Sequence, residues 1–331
     1  MSLKIKELQK ELQKKKIDYA VFYDKDPNLQ YFAEVTAEHI ILTVPKKGKP
    51  TLHVAGFEAD RIKKQTKIKV IKGRKIKVKG TIGVVYNKIS LKKAKELEKQ
   101  GKITNIEETC IKLRQVKTKK EQEIIRKACK ETDKIMQHCL NNLNRFKTEQ
   151  DIAKYLKKII NFLGYEPSFK PIIATGKNAG TPHHTPGKTK LKGFTIIDFG
   201  IKYKGYCSDM TRTVYYGKPS KKEENTYKKL LQIQKELITK AKEGTTFEKI
   251  NELAHKKIGK KLIHKIGHSL GIEVHDPSER PLKLKKGMII TIEPGMYTKK
   301  YGIRIEDDIL ITKNKPEILT QTTKELKKAN F

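Results

Sequence analysis

Apolar residues in the first third of the chain come in short runs. A lysine-rich opening with helical periodicity, MSLKIKELQKELQKKKIDYA, leads into DYAVFY, EHIILTV and PTLHVAG, and FEADRIKKQ returns to a helical rhythm before IKVI and TIGVVY. Apolar runs this short fit strands better than helices. The alternation predicts an α/β unit of its own over residues 1–115.

From about Leu113 the rhythm lengthens. In KTKKEQEIIRKACKETDKIMQHCLNNL, residues Ile124, Ile125, Ala128, Ile135, Met136, Cys139 and Leu140 recur on one helical face, which predicts a long helix opening a second domain over residues 116–331. TEQDIAKYLKKIINFLGY predicts another, capped by Thr148 and stopped by Gly164. Strand-like FKPIIATG, FTIIDFG and YCSDMTRTVYYG follow, then a helical stretch from about Lys221 to Lys242. The order then recurs: a helix in FEKINELAHKKIGKKL, a histidine-rich segment, and the strands GMIITIEPG and YGIRIEDDILIT. Each half therefore runs helices first and ends on a hairpin that carries two acids.

Composition changes this picture little. The 331 residues hold 74 basic and 37 acidic side chains, a formal net charge of +37 that by itself points to a polyanion or a membrane surface. Only eight of the basic residues are arginines, the residue that phosphate and guanine recognition favours, and the lysines are spread along the whole chain. A solvated lysine surface, with no specific nucleic-acid partner, is the expectation. Cys110, Cys129, Cys139 and Cys207 form no C-x-x-C pair, which predicts free thiols in a reducing compartment. No stretch approaches the roughly 20 apolar residues of a membrane span, so the expected location is the cytoplasm.

The acids carry the chemistry. Asp198 ends the apolar run TIIDFG, and Asp209 sits in the next strand. With a turn at Tyr203 and Lys204 the two stand directly opposite, their Cβ atoms about 4.5–5.5 Å apart. Glu293 and Glu306 repeat the arrangement with a turn near Lys299 and Lys300. Neither turn is diagnostic, and a bulge shifts such a register. Four carboxylates facing one cavity repel unless cations join them. Two bridged divalent ions, with one imidazole completing a shell, satisfy them, and oxygen-rich ligation of this kind suits Mn2+ or Co2+. A source for the imidazole is HKIGHSLGIEVHD, which packs three of the nine histidines into residues 264–276.

TIIDFG, YCSDMTRT, HKIGHSLGIEVHD, TIEPGMY and GIRIEDD resemble, in this order, the five metal-site segments of the pita-bread metallopeptidases, across roughly Thr118 to Thr312. ELQKKKIDYAVFYDKDPNLQYF resembles the N-terminal domain of the creatinase, prolidase and aminopeptidase P branch, a domain that methionine aminopeptidases lack. The resemblance implies an α/β (α+β) fold: a small creatinase-like domain followed by a pseudo-symmetric pita-bread catalytic domain. It implies the ligands Asp198, Asp209, His268, Glu293 and Glu306, with Asp209 and Glu306 as bridges, Asp198 on one ion, and His268 and Glu293 on the other. It further implies Glu293 as proton shuttle, His275 as donor to the scissile carbonyl, and His183 or its neighbour His184 as another active-site histidine. Tyr297 and Arg304 match positions that line the substrate pocket. Thr211 and Arg304 also lie two residues from Asp209 and Glu306, on the same strand faces, where they can orient ligands. His264 either supports the ligand shell or is an ordinary core or surface histidine. His39, His53, His138 and His255 fall in no motif and read as structural.

The implied activity is hydrolysis of an N-terminal Xaa-Pro bond in a dipeptide or longer peptide, by a hydroxide bridging two metal ions. A homodimer is compatible with the family. Two other readings remain: an aminopeptidase of other specificity, such as a methionine aminopeptidase, or a non-catalytic pita-bread binding module. The first is disfavoured by the extra N-terminal domain and the second by the complete ligand set.

Overall fold

A computed structural model describes residues 2–329, and the chain divides into two compact units between Arg114 and Gln115. Helices and strands are numbered in chain order. The first unit contains α1 (Leu3–Lys14), β1 (Tyr19–Tyr23), α2 (Pro27–Ala33), β2 (Ile40–Pro45), β3 (Thr51–Val54), α3 (Ala59–Gln65), β4 (Lys69–Lys72), β5 (Gly80–Val84), α4 (Leu91–Glu98) and β6 (Gly101–Asn105), and α5 (Glu107–Gln115) runs out of it. Its mixed sheet has the order β4-β3-β2-β1-β5-β6, with β1, β2 and β3 antiparallel and the others joined in parallel. The five expected apolar runs are β1 to β5. β1 is central and four of its five residues are buried, the pattern of a strand covered on both faces. Four elements, α2, α4, β6 and α5, were not expected. α2 starts at Pro27, where the Asp26 carboxylate accepts the Asn28 N–H at 2.8 Å, and β6 is a half-exposed edge with little apolar signal.

The second unit opens with α6 (Lys119–Leu140) and α7 (Glu149–Phe162), then β7 (Glu166–Pro167), β8 (Ile172–Thr175), β9 (Gly193–Phe199), β10 (Ile201–Tyr203), β11 (Tyr206–Cys207) and β12 (Met210–Tyr216). α8 (Lys221–Lys240) and α9 (Phe247–Ile258) follow, then β13 (Ile289–Ile292), β14 (Gly295–Tyr297), β15 (Gly302–Arg304), β16 (Asp307–Leu310), β17 (Glu317–Ile318) and β18 (Lys328–Ala329). The sequence starts α6, α7 and α8 the same way, with Thr118/Glu121, Thr148/Asp151 and Ser220/Glu223 each closing a reciprocal capping box that satisfies two otherwise orphaned helix donors.

Strand alternation divides the second unit's interior. Ile197 and Phe199 of β9 point at an apolar core with Ile135, Met136 and Leu156 of α6 and α7. Ile290 and Ile309 of β13 and β16 enter a second core with Leu230, Leu237 and Ile250 of α8 and α9. Because side chains alternate along a strand, Asp198 faces away from the first core, and Glu293 and Glu306 face away from the second. Two helix-backed hairpins thus turn their acidic faces to one place.

The first hairpin differs from its expected register. Thr211, not Asp209, pairs with Asp198, and Met210 pairs with Phe199. Lys202 pairs with Cys207 and Tyr203 with Tyr206, so the turn falls at Lys204 and Gly205, both at positive φ (48° and 80°). Positive φ at both central residues is the tight turn whose twist matches the strands, and the lysine conceals it in sequence. A turn one residue later moves each partner by two positions, which preserves the face. Asp209, one residue before β12, therefore sits diagonally from Asp198 on the same side. The second hairpin keeps its expected register: Ile292 pairs with Asp307 and Gly295 with Arg304, flanking Glu293 and Glu306.

All four cysteines are free and buried. No helix among the described residues is long and apolar enough to cross a membrane.

Candidate metal centre

His268 reaches the acids because residues 266–270 run alongside β13. The N–H groups of Thr291 and Glu293 donate to the carbonyls of His268 and Ile266 at 2.8 Å each, and the Leu270 N–H donates to Ile289 at 3.0 Å. Gly267 permits this approach, since a Cβ there would run into the Thr291 carbonyl oxygen. His268 Nε2 then lies 3.6 Å from Asp209 Oδ2 and 3.7 Å from Glu293 Oε1. Asp209, His268 and Glu306 each offer a ligand atom within 4.8 Å of the others.

The electrostatics of the cluster call for cations. Burial, with Asp198, Asp308 and Glu293 adding repulsion, holds the Asp209 carboxyl well above its ordinary range. Burial and then Asp209 do the same to Glu306, and burial raises Glu293 against the pull of His268 and Arg304. Among the described residues, Asp198 Oδ1 and Asp209 Oδ1 are buried without a hydrogen-bond partner. One guanidinium, Arg304, faces the cluster and bonds Asp198 Oδ2 at 2.5 Å. Four carboxylates against one fixed positive charge, with two acceptors unused, is a donor set that fits divalent metal ions.

Thr211, Arg304, Tyr297, His264 and His275 lie around the acids. The Thr211 hydroxyl donates to Glu306 Oε2 at 2.8 Å and accepts from Arg304 Nε at 3.1 Å. Arg304 also bonds the Tyr297 hydroxyl (2.9 Å), which lies 2.7 Å from His264 Nε2. Burial drops the His264 imidazole to about 4 and lifts the Tyr297 phenol to about 12. The His275 ring stands nearly perpendicular to that of His268, centroids 4.2 Å apart, and burial followed by repulsion from His268 and His183 lowers it to about 4. Of the doublet, His184 turns to Glu149, 2.9 Å away, whereas His183 is near enough for its charge to act on both His264 and His275.

Four buried residues were given no role by the sequence reading. Asp308 is fully buried and accepts the Asp209 N–H at 2.9 Å and the Cys129 thiol at 3.3 Å, and burial raises it to about 7. It is the last residue of the quoted GIRIEDD, where an acid following two others on a strand could have marked it. Lys117 and Asp276, the residue after His275, form a buried ion pair at 3.2 Å. Glu149, fully buried at the start of α7, reads in sequence as an ordinary first-turn acid.

Residues 123–313 match metallopeptidase family M24, and residues 4–116 match the creatinase/prolidase N-terminal domain. The chain belongs to metallopeptidase family M24. The M24 peptidase is 32% identical to the Xaa-Pro dipeptidase of Pyrococcus furiosus, with 98% of this chain and 100% of that protein covered. The solved prolidase of Pyrococcus horikoshii OT3 superposes with a TM-score of 0.90 at 31% identity over 98% of this chain and all of that one. The X-Pro aminopeptidase of Thermotoga maritima MSB8 gives a TM-score of 0.87 at 25% identity, over 96% and 98% of the two chains. Membership makes the M24 peptidase a two-domain, metal-dependent hydrolase, as the sequence pattern had implied.

Proposed function

We propose that this M24 peptidase hydrolyses the Xaa-Pro bond of dipeptides, with residues 116–331 as catalytic domain and 1–115 as prolidase-like domain. The observation that carries the proposal is the buried carboxylate–imidazole cluster with its two unpartnered oxygens, in a chain similar throughout to proteins named for Xaa-Pro cleavage. Asp198, Asp209, His268, Glu293 and Glu306 would hold two divalent ions, Mn2+ or Co2+. When bound, the ions supply Lewis acidity and lower the pKa of a water toward neutrality.

The chain's own groups do the rest. Glu293 takes the water's proton and passes it to the leaving nitrogen. His275 and His183 donate hydrogen bonds to the scissile oxygen as it becomes negative. Arg304, braced by Tyr297 and Thr211, and Tyr297, braced by His264, shape the pocket for the proline ring. Thr211 orients Glu306 through its hydroxyl.

Protein reconstituted with Mn2+ or Co2+ and offered Ala-Pro, an Ala-Pro-Xaa peptide, Ala-Ala and Met-Ala tests the proposal. Ala-Pro should be cut tens to hundreds of times faster than Ala-Ala, the usual worth of about 1–3 kcal/mol of apolar shape. Faster cleavage of Met-Ala than of any proline substrate overturns the specificity and leaves the metal site standing.

A further inference from the structure

We propose that Glu149 and His184 form a positioning pair that fixes His183 toward the metal centre. The inference deepens the peptidase reading and rests on it, because His183 is assigned there to the substrate.

The Glu149 carboxylate accepts four hydrogen bonds, as many as a carboxylate can hold. Oε1 takes the Thr175 N–H at 2.8 Å and the Asn178 amide at 3.0 Å, and Oε2 takes His184 Nε2 at 2.9 Å and the Gly187 N–H at 3.1 Å. Its donors come from the end of β8, the turn after it, and the stretch of loop that follows His183. The same loop is tied to the backbone of α7's first turn, since the Gln150 N–H donates to the Gly187 carbonyl at 2.9 Å and the Glu149 N–H to the Thr189 carbonyl at 3.2 Å. On the other side of His183, the Pro182 carbonyl accepts from Arg304 at 3.4 Å. Both chain neighbours of His183 are therefore held, one by a guanidinium of the metal centre and one by a buried carboxylate. The second histidine of the doublet is explained as the handle by which the first is aimed.

A glutamine at position 149 cannot replace the carboxylate. Whichever way its amide is turned, an NH2 group meets one of the two donor pairs, and the loop must shift. Displacements of about 1 Å at a reacting group can cost on the order of a hundredfold.

The experiment measures kcat/KM on Ala-Pro for Glu149→Gln, His184→Ala and His183→Ala, and for each of the first two combined with the third, alongside bound metal and hydrogen exchange of residues 176–189. The single variants Glu149→Gln and His184→Ala should each lose about 10- to 100-fold, keep their metal and exchange faster across the loop. In the His183→Ala background neither should lower kcat/KM further, although the faster exchange persists. A purely structural role would give losses that multiply with that of His183→Ala, and this outcome overturns the proposal, as does unchanged exchange. Should Glu149→Gln not fold, His184→Ala and His184→Gln carry the same comparison, since His184 is partly exposed. A wild type that turns over no Xaa-Pro substrate sinks the peptidase reading instead, and loop exchange then decides the clamp by itself.

Discussion

Replacing Lys117 by methionine tests how firmly the segment bearing His268 and His275 is anchored. Both side chains of the Lys117–Asp276 pair are 2% exposed, and their charged atoms lie 3.2 Å apart. At an effective dielectric of about 20 the attraction over that distance is about 5 kcal/mol. Removing both charges from water has already cost several kcal/mol per ion, so the intact pair adds little net stability. The variant differs: it leaves a buried carboxylate facing a thioether, which costs about 3–5 kcal/mol. Methionine is close to lysine in volume, so the packing change contributes about 1 kcal/mol or less. At roughly 2–4 °C per kcal/mol for a unit of this size, the melting temperature should fall by about 6–20 °C. Calorimetry on metal-free protein is the assay, because bound metal would add its own stabilisation. Lys117→Met/Asp276→Asn should recover part of the loss, since Asn stays neutral and still accepts the Glu273 N–H that Asp276 Oδ1 accepts at 3.3 Å. A fall of less than 2 °C (roughly 1 kcal/mol or below) in the single variant, or a double variant as unstable as the two singles added, would refute the reasoning.

Asp209→Ala and Glu306→Ala should each abolish activity with loss of bound metal and a native circular dichroism spectrum; near-normal turnover in either removes the bridging assignment. His275→Ala should keep its metal and lose about a hundredfold in kcat, the usual scale for a positioned donor, while His268→Ala should lose metal. Equal metal losses in the two would mean the ligand is misassigned. In the first unit, burial lowers the His53 imidazole against the opposing pull of the Lys75 backbone. Its contribution to stability is complete above the unfolded value of about 6.5 and is lost as pH falls toward the folded one. Urea unfolding at pH 7.5 and 5.5 should show a smaller acid loss in His53→Gln than in wild type, and equal losses would exclude His53 as the cause.

Much of this was readable from the sequence because two periodicities carry it. Period-two alternation fixed which face Asp198, Glu293 and Glu306 present, and that survived a misplaced first turn, since a two-position slip leaves parity intact. The symmetric Lys299–Lys300 turn needed no special backbone, so its register followed from length alone. Lys204 did need one, and a lysine at positive φ gives no local warning. Glu149 and Asp308 stayed hidden for another reason. An acid at a helix start or strand end is ordinarily solvated, and only tertiary packing shows that these two are enclosed and receive backbone N–H groups. The His183–His184 doublet was ambiguous by one residue because loops lack a period to assign direction.

The four enclosed thiols bear on how this peptidase can be watched at work. Burial pushes Cys139 and Cys207 up to about 12 and raises Cys110 and Cys129 as well, so none offers a thiolate near neutral pH. A single cysteine introduced at exposed Thr185 would then be the sole reactive thiol of the folded chain. A maleimide dye or nitroxide attached there would report the histidine loop's motion during turnover, against a wild-type background that takes up no label.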